Sequence, residues 1–287
     1  MERYIGIKNL SGTGYGSNEL VMEHATMLVT LLCNLKCKLC SAYAPYYTNE
    51  KHPAPDVLEE SLKRFFSIVA YVEKFTICGG EPFIYPHLEK VLCFFEKYMD
   101  RIKVLEILTN GTIVPSDVQL ERMQNFKRDS FQILIDNYGP QKSKNIAEID
   151  DVLTKANISH TIRNYTEVDP HCGGWVDFGD LTIKKHLSQK QIEEVYAKCA
   201  YPQKLGFSFA IGPDGLMFPC GPSRRCKALG VAEDRKEYVD LFDDTLSLEE
   251  QRQKIRAVLD GKSLKACAYC NGLCEDSPRF IPAEQLS

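Results

Sequence analysis

The stretch Leu28-Val29-Thr30-Leu31-Leu32-Cys33-Asn34-Leu35-Lys36-Cys37-Lys38-Leu39-Cys40 decides how this chain is read. A short apolar run, Met27–Leu32, has the length and composition of a buried strand. It leads straight into Cys33, Cys37 and Cys40, spaced C-x3-C-x2-C. Three thiolates so spaced can bind three irons of a cubane cluster and leave the fourth iron open to a substrate or cofactor. A structural zinc wants four protein ligands, whereas iron–sulfur clusters are held by short-spaced cysteine runs of this kind. A second strand-like run, Phe75–Cys78, ends on Gly79-Gly80-Glu81-Pro82. Two glycines at a strand end let a backbone or ligand approach closely, because no Cβ stands in the way. Taken alone, Glu81 there could equally cap a helix or form a salt bridge.

Outward from these motifs the chain alternates. Further strand-like runs lie at Val104–Leu108, Phe131–Ile135 and His160–Arg163. Helix-like patterns separate the strands at Val57–Glu73, Pro86–Met99, Pro115–Phe126 and Lys142–Ala156. In the first helix, Leu58, Leu62, Phe65, Phe66, Val69 and Val72 recur at helical spacing and form one apolar stripe. Alternation with crossovers of this length demands a parallel sheet. Loops that follow its strands gather at one end, so both motifs should share one mouth. The stretch Thr166–Asp180 reads as a linker.

Composition narrows the class. The chain has 287 residues, 44% hydrophobic and 26% charged, enough for one large domain or a domain with a small appendage. A net charge of −4 gives no basic footprint for nucleic acid or an anionic membrane. No apolar run reaches membrane-spanning length, and the opening residues lack the features of a signal peptide. The cytosol is the expected location. Twelve cysteines in such a chain read as metal ligands or catalytic thiols before disulfides.

Five of them fall in the last third: Cys199, Cys220, Cys267, Cys270 and Cys274. Cys199 and Cys220 bracket an apolar strand, the turn Gly212-Pro213-Asp214-Gly215 and a second short strand. This reads as a hairpin that brings the two thiols into one neighbourhood. A helix at Ser247–Leu259 leads back to Cys267-Ala268-Tyr269-Cys270. Four thiolates can close a site, and on ligand count alone a structural zinc is the first choice. Cys78 and Cys93 read as packing residues. Cys172 and Cys226 stand apart.

The three-cysteine loop and the Gly79-Gly80-Glu81-Pro82 motif at its distance downstream together resemble the radical S-adenosylmethionine (radical SAM) superfamily. The resemblance implies an α/β fold, an incomplete (β/α)6 TIM-like barrel with its active site at the C-terminal mouth. It implies a 4Fe–4S cluster on Cys33, Cys37 and Cys40 that chelates S-adenosylmethionine, and a flavodoxin- or ferredoxin-type electron donor. Contacts to the cofactor would come from Gly79, Gly80, Glu81 and Pro82, from Thr109 and Asn110 at the end of the third strand, and from Asp136 at the end of the fourth. Turn chemistry alone would also account for Asn110-Gly111 and Asp136-Asn137. Leu39 stands where the family usually has an aromatic residue against the adenine, with Tyr43, Tyr46 and Tyr47 close behind. Arg163 would face the same mouth, or make a surface salt bridge. The spacing C-x15-G-x4-C, from Cys199 through Gly215 to Cys220, is similar to the opening of the SPASM extension. The short remainder resembles its Twitch form, a small C-terminal β-hairpin and helix domain. That implies one auxiliary 4Fe–4S cluster on Cys199, Cys220, Cys267 and Cys270, with Cys274 unassigned. The expected division is an N-terminal extension over 1–23, a partial barrel over 24–180 and the auxiliary domain over 181–287.

Two reactions follow from the resemblance. The first is oxidation or epimerisation at a carbinol carbon of a carbohydrate-like small molecule, as in the Twitch aminocyclitol dehydrogenases. An epimerase needs a thiol to return hydrogen, for which Cys172 and Cys226 are the candidates. Trp175, beside Gly173-Gly174 and Asp177, could hold a sugar ring or anchor a core. The second is modification of a ribosomally made peptide. A metal-bound scaffold and an activase of a glycyl-radical enzyme fit less well. The first has no use for a methionine-binding edge, and the second would bring further cysteines between Cys40 and Phe75.

Overall fold

The computed structural model describes residues 19–48, 50–166 and 170–286. Most of the expected N-terminal extension, and part of the Thr166–Asp180 stretch, lie outside these residues. Five parallel strands follow in order: β1 (Val21–Thr30), β2 (Tyr71–Gly79), β3 (Ile102–Thr109), β4 (Phe131–Asn137) and β5 (His160–Asn164). Helices α1 (Pro55–Ile68), α2 (Leu88–Glu96), α3 (Asp117–Met123) and α4 (Ile146–Lys155) connect them. The sheet runs β5-β4-β3-β2-β1 and does not close, which makes it an incomplete barrel.

The helices cover one face, and their apolar stripes build the core there. Phe65 of α1 and Phe95 of α2 meet Phe75 of β2 edge-on, with ring centroids 5.4 and 4.9 Å away. Strand side chains alternate, so Thr76 points to the opposite, inner face. There it donates to Glu106 at 2.7 Å, and Gln132 donates to the other oxygen of the same buried carboxylate at 3.1 Å. Cys78, expected only as a packing residue, lies two residues beyond Thr76 and shares that inner face, half-buried.

Of the helix ends, that of the first moves furthest from expectation. The first helix stops at Ile68, because Tyr71-Val72-Glu73 are taken up by β2 in register with Val21 and Met22. Val69 and Val72 are still buried, as a turn residue and a strand residue. The sixth parallel neighbour arises on the far side of β1. There β7 (Ala210–Ile211) pairs parallel with Thr26 and Met27, then turns into β8 (Leu216–Phe218) and β9 (Val239–Asp240).

The rest of the chain comprises α5 (Gln189–Lys198), α6 (Ala200–Lys204), α7 (Gly221–Ala228) and α8 (Leu248–Leu259), with β6 (Trp175–Val176) paired antiparallel to β10 (Arg279–Phe280). A capping box of Ser247 and Glu250 starts α8 at the residue expected. All twelve cysteines are free thiols. No helix among the described residues is long and apolar enough to cross a membrane.

Candidate metal centres

The first cysteine loop is clamped by the end of β2. Gly80 N–H donates to Thr30 O at 2.8 Å, and Glu81 N–H to Leu32 O at 3.0 Å. A Cβ on Gly80 would lie 1.9 Å from Leu32 O; one on Gly79, whose φ is +146°, would lie 2.1 Å from Thr30 O. The two glycines are therefore required by the approach of β2 to the cysteine loop itself. Glu81 is fully buried and turned inward. It accepts from Phe83 N–H, the Thr109 hydroxyl and Asn110 N–H at 3.0, 2.8 and 2.8 Å. Burial pushes its carboxyl up to about 7, against the pull of these donors. Glu81 and Thr109 thus form a latch that joins the ends of β2 and β3, and Pro82 is buried beside it.

That latch aims Asn110 at the loop. Asn110 Oδ1 accepts from Thr112 N–H at 3.0 Å, which turns its amide nitrogen toward Cys33 Sγ, 3.6 Å away. Leu35 N–H donates to the same sulfur at 3.4 Å, and Gln285 Nε2 to Cys37 Sγ at 3.4 Å. Burial pushes the Cys33 thiol up to about 12 and Cys37 to about 11, and raises Cys40 as well. Such thiols keep their protons until a metal displaces them. Three cysteines, with N–H donors on the Cys33 and Cys37 sulfurs, suit an iron–sulfur cluster, whose electron-rich sulfurs accept such bonds. Among the described residues no three His, Cys, Asp or Glu side chains converge tightly enough to hold a single metal ion.

Farther along the mouth, Asp136 is buried and already occupied. Arg163 Nε donates to one oxygen at 2.6 Å and the Tyr138 hydroxyl to the other at 2.9 Å. Arg163 therefore pairs with Asp136, a buried carboxylate, in place of the surface salt bridge that is its alternative reading. Tyr138 meets Trp175 edge-on at 5.5 Å and Tyr165 at 5.1 Å.

The second group assembles as the hairpin reading foresaw. Cys199, Cys220, Cys267 and Cys270 line one small apolar cavity with Tyr201 and Phe178. Cys199, Cys267 and Cys270 sulfurs accept backbone N–H bonds from Leu273, Leu264 and Gly272 at 3.4, 3.4 and 3.3 Å. Gly215 makes the hairpin possible: its φ is +74°, and a Cβ would strike Phe242 at 2.2 Å. Four thiols, three of them with backbone donors, fit an auxiliary cluster on donor chemistry. Cys274 donates to Val195 O at 3.7 Å and lines a different cavity.

The loops that carry the two groups touch. A Cβ on Gly221, next to Cys220, would lie 2.2 Å from Ser41 O, next to Cys40. Beside this contact opens a cavity of about 410 Å³ lined by Leu39, Cys40, Tyr46, Asp177, Asp180 and Arg225. Arg225 stacks over the rings of Tyr46 and Tyr47 at 6.0 and 5.1 Å.

The two candidate hydrogen-donor thiols part company. Cys226 is wholly buried against Phe178, Leu181 and Ala266, which rules out the exposure a donor needs. Cys172 is exposed, at φ 56° beside Gly173. The inner-face network of Thr76, Glu106 and Gln132 was not anticipated. Its signal was one polar residue inside each of three otherwise apolar strands.

The Radical SAM superfamily matches residues 27–168, the span that holds the end of β1, the cysteine loop, the glycine clamp and β2 to β5. Residues 27–168 are a radical SAM domain. Among curated proteins it is 32% identical over 119 residues to the antilisterial bacteriocin subtilosin biosynthesis protein AlbA of Bacillus subtilis, covering 40% of this chain and 25% of that protein. It is 25% identical over 134 residues to GTP 3′,8-cyclase of Aquifex aeolicus, covering 43% and 40%. The matches thus span two-fifths or less of these relatives' own lengths. Among solved structures, BtrN in complex with AdoMet and 2-DOIA aligns over 92% of this chain and 99% of its own, with TM-score 0.53 and 15% identity. Native anSMEcpe with bound AdoMet aligns over 92% and 93%, again with TM-score 0.53 and 15% identity. At that identity the likeness is one of fold.

Proposed function

We propose that the protein is a radical SAM oxidoreductase acting on a carbohydrate-like small molecule at a carbinol carbon. Cys33, Cys37 and Cys40 would hold the radical cluster, and Cys199, Cys220, Cys267 and Cys270 one auxiliary 4Fe–4S cluster. The observation that carries this reading is the close backbone approach of Gly221 to Ser41, which brings the loops bearing Cys220 and Cys40 together. Bound there, the first cluster and S-adenosylmethionine supply one-electron cleavage to methionine and a 5′-deoxyadenosyl radical, and the second supplies an electron acceptor. The net oxidation removes one hydrogen atom from the carbinol carbon, one proton from its hydroxyl and one electron.

This chain's residues do the rest. Asn110, held by the Glu81 latch, orients Cys33. Leu39 and Tyr46 give the cavity an apolar wall, and Asp177, Asp180 and Arg225 give it charges of both signs, which suits a polar small molecule. If the outcome is epimerisation, Cys172 remains as the thiol. The free thiols and the oxygen-sensitive centres fit a reducing cytosol and a flavodoxin- or ferredoxin-type donor.

The likeness to AlbA, a bacteriocin biosynthesis protein, favours a second reading: modification of a ribosomally made peptide. anSMEcpe has also been solved with bound peptides. The test is anaerobic reconstitution, reduction with dithionite, and assay of 5′-deoxyadenosine with deuterated sugars, aminocyclitols and peptides. Deuterium passing from a cyclitol or sugar into 5′-deoxyadenosine supports the first reading, and transfer from a peptide replaces it with the second. No 5′-deoxyadenosine under any condition would sink both.

A further inference from the structure

We propose that each centre receives one hydrogen-bond donor from the other's side of the molecule. Tyr43, three residues past Cys40, donates into the Cys199–Cys220–Cys267–Cys270 site, and Gln285, beyond the last cysteine, donates to Cys37. This rests on the reading of both sites as iron–sulfur centres. It adds that their reduction potentials are set reciprocally, by residues that tie the two units together.

Tyr43 sits in a strained position. Its φ and ψ are 56° and 23°, a left-handed conformation that costs a non-glycine residue about 1 kcal/mol. The turn that holds it is closed by Tyr43 N–H to Cys40 O and Tyr46 N–H to Tyr43 O, both at 2.9 Å. From there the ring leaves its own loop and packs on the apolar cluster of Phe178, Cys226, Ala266 and Cys270. Its hydroxyl is buried with no hydrogen-bond partner. The ionisable groups that bear on it are Cys270, Tyr201, Cys220 and Cys226. A buried hydroxyl left unpaired costs about 1–3 kcal/mol, and folded proteins pair nearly all such groups. A donor stranded among cysteine sulfurs has its acceptor once those sulfurs, or the cluster they hold, carry negative charge.

Gln285 makes the reverse reach. Lys36 N–H donates to Gln285 Oε1 at 2.7 Å. A backbone amide can only donate, so this bond fixes which end of the side chain is oxygen. The amide nitrogen is left facing Cys37 Sγ at 3.4 Å and Ala283 O at 2.8 Å. The segment is docked along the loop like a strand. Lys38 N–H donates to Glu284 O at 2.7 Å, and Leu286 N–H to Lys36 O at 2.8 Å. Behind it, β10 pairs with β6, and Lys142 Nζ reaches Pro282 O at 3.4 Å.

Hydrogen bonds to cluster sulfur stabilise the more negative, reduced state and so raise the potential. Tyr43 and Gln285 are positioning residues, because each acts through a sulfur. The test is an EPR-monitored redox titration of the reconstituted full chain, with each centre identified by comparison with variants lacking the other's cysteines. Tyr43→Phe keeps the ring and removes only the hydroxyl. Gln285→Glu keeps the acceptor for Lys36 N–H and removes the donor, and Gln285→Leu removes the donor without adding charge. At wild-type iron content, Tyr43→Phe is expected to lower the auxiliary potential alone. Both Gln285 variants are expected to lower the radical-centre potential alone. Unchanged potentials, or both centres moving together in each variant, overturn the proposal. Zinc at the auxiliary site of the wild-type protein would instead overturn the reading beneath it, and the Tyr43 half with it.

Discussion

The two cysteine groups use one side chain in opposite ways. Cys33, Cys37 and Cys40 lie within eight residues on a loop that a single strand delivers to the mouth. Cys199, Cys220, Cys267 and Cys270 come from a helix end, a hairpin and a short turn spread over 72 residues. The first site is local in sequence, but its shape is not. Its geometry is imposed by the end of β2 and the Glu81 latch. The second is distant in sequence, yet the Cys267 and Cys270 sulfurs are held by backbone N–H groups two or three residues away, and the Cys199 sulfur by that of Leu273, just past Cys270. Substitutions in the clamp should therefore damage the first site and spare the second.

The largest expected effect is at Glu81. Glu81→Ala leaves two backbone N–H groups and the Thr109 hydroxyl buried without an acceptor, at a cost of about 4 kcal/mol. Denaturant unfolding of the metal-free protein measures it. A loss under about 1 kcal/mol would mean the latch does not hold β2 to β3. Gly80→Ala comes next, at about 3 kcal/mol, because the new methyl would meet Leu32 O. Its sharper readout is metal: reconstituted Gly80→Ala should lose iron from the Cys33 loop and keep it at Cys267 and Cys270. Equal loss from both sites would erase the contrast drawn here.

A pH scan probes the barrel side alone. His24, bonded to Thr76 at 2.8 Å, is pulled down to about 4 by burial and then by Lys74. The unfolded histidine takes its proton near 6.5. Its contribution to stability is therefore complete above that value and is lost as pH falls toward 4. Relative to His24→Gln, the wild type should lose about 2 kcal/mol between about pH 7 and pH 5. The subtraction cancels the opposite-signed contribution of Glu81, whose raised carboxyl favours the folded state at lower pH. Parallel curves for the two proteins would count against a neutral, buried His24. The smallest effect is at Cys274, which lines a different cavity from the other four cysteines. Cys274→Ser should cost about 1 kcal/mol and leave the iron content unchanged; lost iron would make it a ligand.

Much of this was legible in the chain because it is periodic or local. The strand–helix alternation, the mouth-facing loops and both cysteine groups follow from hydrophobic period and spacing. What escaped is tertiary. The first helix seemed to run to Glu73 because Val69 and Val72 continue its stripe, and only the pairing of Tyr71 and Val72 with β1 ends it. Glu81 looked like a ligand-facing acid, and three donors from other elements turn it inward. Cys226 could not be told from a reactive thiol until the packing of Phe178 and Leu181 covered it. The reach of Gln285 to Cys37 spans 248 residues and leaves no local trace.

The most direct test of the account is a count of iron and zinc after anaerobic reconstitution, with 5′-deoxyadenosine assayed on the same samples. The samples would be the wild type, a Cys33→Ala/Cys37→Ala/Cys40→Ala variant and a Cys267→Ala/Cys270→Ala variant. Two 4Fe–4S centres predict about eight irons in the wild type and about four in each variant, with 5′-deoxyadenosine formed only where Cys33, Cys37 and Cys40 remain. Loss of all iron from the first variant while zinc stays bound would contradict it, leaving one cluster and a structural zinc.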